Sequence, residues 1–234
     1  MKVGFLWGAL FLSFSSLLHG EVPQGVHAFH DRVTVLSESP RVFLIEGFLS
    51  DQECDYLIGR ARPLLKRSTV VGDEVREGGE VGALHDARTS QGMFLEQFSK
   101  HPILRGIEKK LSQLTGMPES HGEGIQILFY GLGAEYRPHY DYFDPSTPGG
   151  AACYNRGGQR VATVVMYLSN TEEGGETIFP YAEVQATPIK GNAVLFYSCT
   201  PDGQEDPMSM HGSAPVLSGE KWAAIKWIRQ GVFR

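Results

Sequence analysis

The sequence predicts an α+β protein, mainly β, in which a β-sandwich or jelly roll is backed by helices from the N-terminal part. Three observations predict it. Short apolar runs, alternating or β-branched, crowd the chain after residue 121. The 28 glycines and 13 prolines punctuate those runs with turns. Helical apolar spacing, by contrast, is confined to residues 40–118.

In chain order, Lys2 precedes an apolar run, Val3 to Leu18, and then His19, Gly20 and Glu21. A positive start and an apolar middle read as a signal peptide over 1–20 or, if it is not cleaved, a signal anchor. Residues 21–39 read as a linker and 40–234 as one domain. Ser50 and Glu53 form a capping-box pattern, followed by Leu57, Ala61 and Leu64 at helical spacing, with Pro63 limiting the helix. Gly72 to Gly92 is a long polar, glycine-rich stretch, either mobile or functional. A second helix starts near Pro102, an acceptable first-turn residue. Leu104, Ile107, Leu111 and Leu114 form its stripe, and Gly116 ends it. Strands follow at 125–130, 161–168, 193–197 and 221–228, with a turn at Pro201-Asp202-Gly203.

The net charge of −6 argues against general nucleic-acid binding, which needs a basic surface. Three cysteines, Cys54, Cys153 and Cys199, are too few for a disulfide scaffold, although one pair is allowed in an oxidising compartment. No Cys-x-x-Cys is present, which disfavours a structural zinc site.

The chemistry concentrates in Tyr136 to Phe143. Residues two apart on an extended segment point the same way, so His139 and Asp141 present an imidazole and a carboxylate together. With a distant histidine they make the two-histidine, one-carboxylate set of non-haem iron(II) oxygenases, which leaves coordination positions open. His-x-Asp alone is a weak signal. His211 is the distant histidine, and Lys221 stands 10 residues after it. On antiparallel strands joined by a turn, that spacing brings an ammonium back beside the histidine. A buried ammonium needs an anion, which a dicarboxylic cosubstrate supplies. Zinc accepts the same ligands, so a zinc hydrolase is an alternative, as is a non-catalytic jelly-roll module binding sugars or peptides.

His139-Tyr-Asp141, His211 and Lys221 together resemble the signature of the prolyl 4-hydroxylase family of 2-oxoglutarate dioxygenases. Arg88-Thr-Ser90, Gly158 to Thr163, Met166-Tyr-Leu168, Glu173 to Thr177 and Lys221-Trp222 to Ile228 also resemble family segments, in the family's order over about residues 40–230. The likeness is to the short plant and algal type, without a peptide-binding extension. It implies a double-stranded β-helix, or jelly-roll, fold. It implies Fe(II) on His139, Asp141 and His211, and 2-oxoglutarate held by Lys221 with Thr177 and Tyr130. L-Ascorbate is a further implied cofactor. The implied partner is a proline-rich or collagen-like peptide, met by Arg88, Ser90, Tyr140, Arg160 and Trp227. Tyr142 is a weaker candidate, read first as core packing, and Gly72 to Gly92 would be a lid. The implied activity is proline hydroxylation with release of succinate and CO2, in the endoplasmic reticulum or elsewhere on the secretory pathway. A membrane contact follows only if the leader is retained. Hydroxylation of another residue, such as lysine, uses the same iron chemistry. One departure is Ala214, where the family often has a cysteine.

Overall fold

The computed structural model describes residues 23–72, 74–75 and 82–234. Residues 1–22, 73 and 76–81, which hold the expected leader and part of the expected lid, lie outside the described residues. A short helix α1 (Gln24–His27) leads into β1 (Val33–Glu38) and β2 (Arg41–Ile45). Then come α2 (Asp51–Ala61), β3 (Lys66–Arg67), β4 (Val70–Val71), β5 (Gly82–Ala83), β6 (Gln91–Phe94) and α3 (Pro102–Thr115). After them the chain is almost wholly β: β7 (Gln126–Tyr130), β8 (Tyr136–His139), then one helix, α4 (Pro148–Tyr154), and β9 (Arg160–Tyr167). It continues as β10 (Glu173–Gly174), β11 (Thr177–Phe179), β12 (Val184–Ala186) and β13 (Ala193–Tyr197). It closes with β14 (His211–Ser213), β15 (Val216–Ser218) and β16 (Lys221–Arg229).

The strands pair antiparallel. Eight form one sheet in the order β1-β2-β13-β9-β16-β7-β6-β3, and four form a second in the order β12-β11-β14-β8. Two apolar layers follow. One lies between the large sheet and the helices, where Leu57, Ile107, Leu111 and Leu114 meet Ile127, Val164 and Met166. The other lies on the opposite face of the large sheet, where Leu128, Tyr130, Tyr167 and Phe196 meet Phe179 of the small sheet. The alternation in β7 therefore serves two buried faces. Ile127 turns to the helices, and Leu128 and Tyr130 turn to the small sheet.

Both helices begin and end as the sequence requires. The Ser50 hydroxyl accepts from the Glu53 amide while the Glu53 carboxylate accepts from the Ser50 amide, and α2 stops before Pro63. Gly116 caps α3 with a left-handed φ of 69°. Leu64 departs from the expected stripe: past the end of α2 it is 51% exposed.

The expected linker over 21–39 needs correction. Val26 and Phe29 are buried in the helix-side core, and β1 pairs with β2 along its length. Its Val33, Thr34 and Val35 favour the extended conformation, and β2 offers the ladder that a lone segment lacks. Part of the expected loop at Gly72 to Gly92 is ordered too, because β4 pairs with β5 and β6 joins the large sheet. All three cysteines are buried free thiols, so the pair that the sequence allowed is not formed.

Candidate active site

His139 ends β8, Asp141 lies in the bend two residues on, and His211 opens β14. β8 and β14 are neighbours in register, with His139 directly opposite His211. That pairing brings together two residues far apart in sequence. One Nε2–carboxylate distance is 3.7 Å from His139 and the other 3.5 Å from His211, both to Asp141. One ligand atom from each residue lies within 4.8 Å of the others.

The ring orientations fit a cation. Each Nδ1 faces a backbone carbonyl, Arg137 O at 2.9 Å for His139 and Ser209 O at 3.0 Å for His211. Donation there fixes the tautomer that leaves the Nε2 lone pair free for a metal. Tyr136 stacks on the His139 ring with centroids 3.6 Å apart. Thr163 of β9 donates to Asp141 Oδ2 at 2.6 Å. Burial acts to raise the Asp141 carboxyl, but His211, His139 and Arg160 together hold it well below the usual carboxylate range. Burial pushes His211 down to about 4, against the pull of Asp141, so its imidazole is neutral at pH 7. An ionised carboxylate and a neutral imidazole are the ligating forms.

The cluster stands where two spaces meet. An inner cavity of about 50 Å³ runs between the sheets and reaches Lys221, Thr177 and Tyr130. An outer groove of about 630 Å³ opens to solvent past Tyr140, Tyr142, Arg160 and Trp227. Arg88, Tyr136, His139, Asp141 and Trp227 line both.

Lys221 closes the inner end. It starts β16 of the large sheet and reaches Ser213 of the small one, so it joins His211 at the same cavity across the sandwich and not along a hairpin, which corrects the sequence argument. The turn after His211 leads into β15, which pairs with β10 instead. The ammonium is 2% exposed and donates to Gly175 O at 2.6 Å and Ser213 Oγ at 2.8 Å. Its Nζ sits 5.0 Å from the centre of the Tyr130 ring, its cross-strand partner. Burial pulls Lys221 down to about 7, opposed by Glu176. A cation with neutral partners and a raised charging cost suits a ligand that brings its own anion. Tyr167 donates its hydroxyl to Thr177 Oγ1 at 2.7 Å, which orients the threonine at the cavity wall. Ser213, Thr163 and Tyr136 were not singled out from the sequence: Thr163 and Ser213 act across strands, and Tyr136 serves by stacking on a ring in its own strand.

The outer groove is more varied. Arg88 is buried and pinned: Nη1 donates to Thr69 O and Nη2 to Gln126 Oε1, both at 3.0 Å. Ser90, expected to meet a peptide, is fully buried and absent from both linings. It accepts from Arg88 Nε at 3.3 Å and donates to Ser68, so it positions Arg88 instead. Tyr142 is also corrected: it is half-buried and stacks on Tyr140 with centroids 4.6 Å apart, at the groove wall and not in the core. Arg160 lies 4.0 Å over the Trp227 ring and is gripped by Glu123 at 2.7 Å and 2.9 Å. Arg229, 1% exposed, donates to the same carboxylate at 3.1 Å. Burial opposes ionisation of Glu123, but Arg160 and Arg229 outweigh it and lower its pKa. Glu123 and Arg229 went unnoticed in the sequence; they lie 106 residues apart and no local spacing joins them.

This fold and this two-histidine, one-carboxylate cluster are those of an iron-dependent oxygenase that uses 2-oxoglutarate. The sequence profile of the 2OG-Fe(II) oxygenase superfamily matches residues 125–229, which hold all three ligands and Lys221. Prolyl 4-hydroxylase 1 of Arabidopsis thaliana is 46% identical over 212 residues, covering 84% of this chain and 71% of that protein. Probable prolyl 4-hydroxylase 4 of the same plant is 38% identical, covering 96% and 80%. The chain belongs to the prolyl 4-hydroxylase family. Among solved structures, the viral collagen prolyl hydroxylase of Paramecium bursaria Chlorella virus-1, as its 2OG complex, superposes with a TM-score of 0.60 at 30% identity. That match covers 80% of this chain and 95% of the viral one. The prolyl-4-hydroxylase of Pseudomonas putida, with a TM-score of 0.56 at 19% identity, shares the fold.

Proposed function

We propose that this chain hydroxylates prolyl residues in proline-rich peptides, consuming O2 and 2-oxoglutarate and releasing succinate and CO2. One observation carries the reading: the metal cluster sits at the junction of a narrow cavity closed by a cation and a wide groove open to solvent. A small dianion suits the first and a polymer the second.

His139, Asp141 and His211 would hold Fe(II), and Lys221, with Ser213, Thr177 and Tyr130, the far carboxylate of 2-oxoglutarate. Bound ferrous iron supplies O2 activation, coupled to oxidative decarboxylation of the cosubstrate, for inserting oxygen into a C–H bond. The chain's own residues do the rest. Thr163 fixes the Asp141 carboxylate, and the carbonyls of Arg137 and Ser209 fix the imidazoles. The inter-sheet layer keeps bulk water from Lys221, which is 2% exposed.

The groove suits proline. A polyproline segment is already extended and has little ordering entropy left to lose. It offers carbonyl acceptors but no backbone N–H at its prolines. The groove answers with guanidiniums, Arg88 and Arg160, and with aromatic faces, Tyr140, Tyr142 and Trp227. Ascorbate fits the reading as the reductant that keeps iron ferrous, and the leader-like residues 1–20 support work on the secretory pathway.

The test is mass spectrometry of proline-rich peptides incubated with iron, with and without 2-oxoglutarate, alongside a succinate assay. The expected result is one added oxygen per modified proline, dependent on both iron and 2-oxoglutarate. Turnover without 2-oxoglutarate would refute the reading and favour a metal hydrolase.

A further inference from the structure

Phe94 is a large aromatic left 55% exposed in a protein whose other site aromatics are mostly covered. Its position is set by register. Phe94 lies directly opposite Gln126 of β7, and Gln126 lies opposite Ile225 of β16. Residues paired across strands share a face, so this row continues the site face of the large sheet outward onto β6. Gln126 lines the outer groove, Ile225 the inner cavity, and Phe94 the outer groove again.

The ring is also seated. An added Cβ at Gly124 would stand 3.9 Å from the Phe94 ring, an ordinary contact distance, so the ring lies against this stretch of backbone. The Phe94 ring centre is 6.4 Å from that of Trp227, with planes tilted by 36°. Trp227 is 7% exposed and is stacked by Arg160. The exposed ring beside the covered one makes a notch open to the groove. An apolar face in water at that place gains from burial against another flat, apolar group.

We propose that Phe94 is a specificity-determining residue. With Trp227 it grips a second proline ring of the same peptide, one that is not oxidised, so that runs of proline are preferred to an isolated proline. The inference rests on the prolyl-hydroxylase reading above. Pyrrolidine rings suit the occupant role because a polyproline helix repeats every 3 residues or so and presents rings on each side of the reacting one.

The experiment compares wild type, Phe94→Ala and Phe94→Trp on two peptides, a proline run and a single proline among alanines. Phe94 is exposed, so the variants keep the fold, which an unchanged melting temperature verifies. Phe94→Ala is expected to raise KM for the proline run about tenfold, the loss of one aromatic contact. The KM for the single-proline peptide, kcat on both and the 2-oxoglutarate requirement stay as in wild type. Phe94→Trp retains the preference. Equal changes in KM on both peptides, or no change on either, overturn the proposal while leaving the hydroxylase reading intact. Failure of the wild type to oxidise either peptide, with 2-oxoglutarate still consumed, sinks both.

Discussion

The inner cavity and the outer groove share five lining residues yet are built by different means. The inner cavity is made of paired strands. His139 faces His211, and Lys221 faces Tyr130, each fixed by ladder register. The outer groove is made of side chains held by other side chains. Ser90 holds Arg88, and Glu123 holds Arg160 with help from Arg229. Strand register tolerates little change, because a slip of one residue turns every side chain to the wrong face. Side-chain networks are adjustable one member at a time. The reaction is thereby lodged in the rigid part and substrate choice in the adjustable part.

The largest effects should come from the rigid side. His211→Ala is expected to abolish iron binding and succinate release together, measured by metal analysis and a succinate assay. Retained turnover would break the comparison at its root. Next comes Lys221→Ala, which removes a charged hydrogen-bonding partner worth about 2 kcal/mol, a 2-oxoglutarate requirement raised roughly 30-fold. The peptide KM should not move.

Lys221 also sets a pH dependence. Below about 7 its ammonium is charged, and above that the free site carries a neutral amine. Binding of the dianion favours the charged form, so 2-oxoglutarate affinity is expected to fall as pH rises above about 7. In Lys221→Arg the guanidinium stays charged and that slope should vanish, as titration calorimetry across pH would show.

On the adjustable side, Glu123→Gln leaves two buried guanidiniums without their carboxylate. A stability loss of about 3 kcal/mol is expected in denaturant melts. The peptide KM should rise severalfold while 2-oxoglutarate consumption without peptide continues. The smallest effect should be Tyr142→Ala, where loss of one half-buried stacking partner raises the peptide KM by about threefold. A change in 2-oxoglutarate KM in either variant would show that the two spaces are not independent.

The same division governs what could be read in the sequence. The caps of α2 and α3, the stripe from Leu104 to Leu114 and the His139–Asp141 pair depend on local spacing, and all were legible. His211 and Lys221 were legible through their spacing and the family resemblance, but not the route that joins them, since nothing local says that β14 lies beside β8 or that β16 faces it. Thr163, 22 residues from the carboxylate it serves, gave no signal. Nor did β1, whose pairing partner makes it a strand, or the Glu123 network. The family resemblance assigns Ser90 to the peptide along with Arg88, yet its hydroxyl points into the protein.

The buried thiols have a consequence for an oxygen-using protein. Burial pushes Cys54 and Cys199 up to about 11 and raises Cys153 as well. The thiolate is the form that oxidants attack, so at neutral pH these sulfurs present almost none of it. The protein thus carries its sulfur in a form slow to corrode, and its fold depends on no crosslink that a shift in redox surroundings would undo.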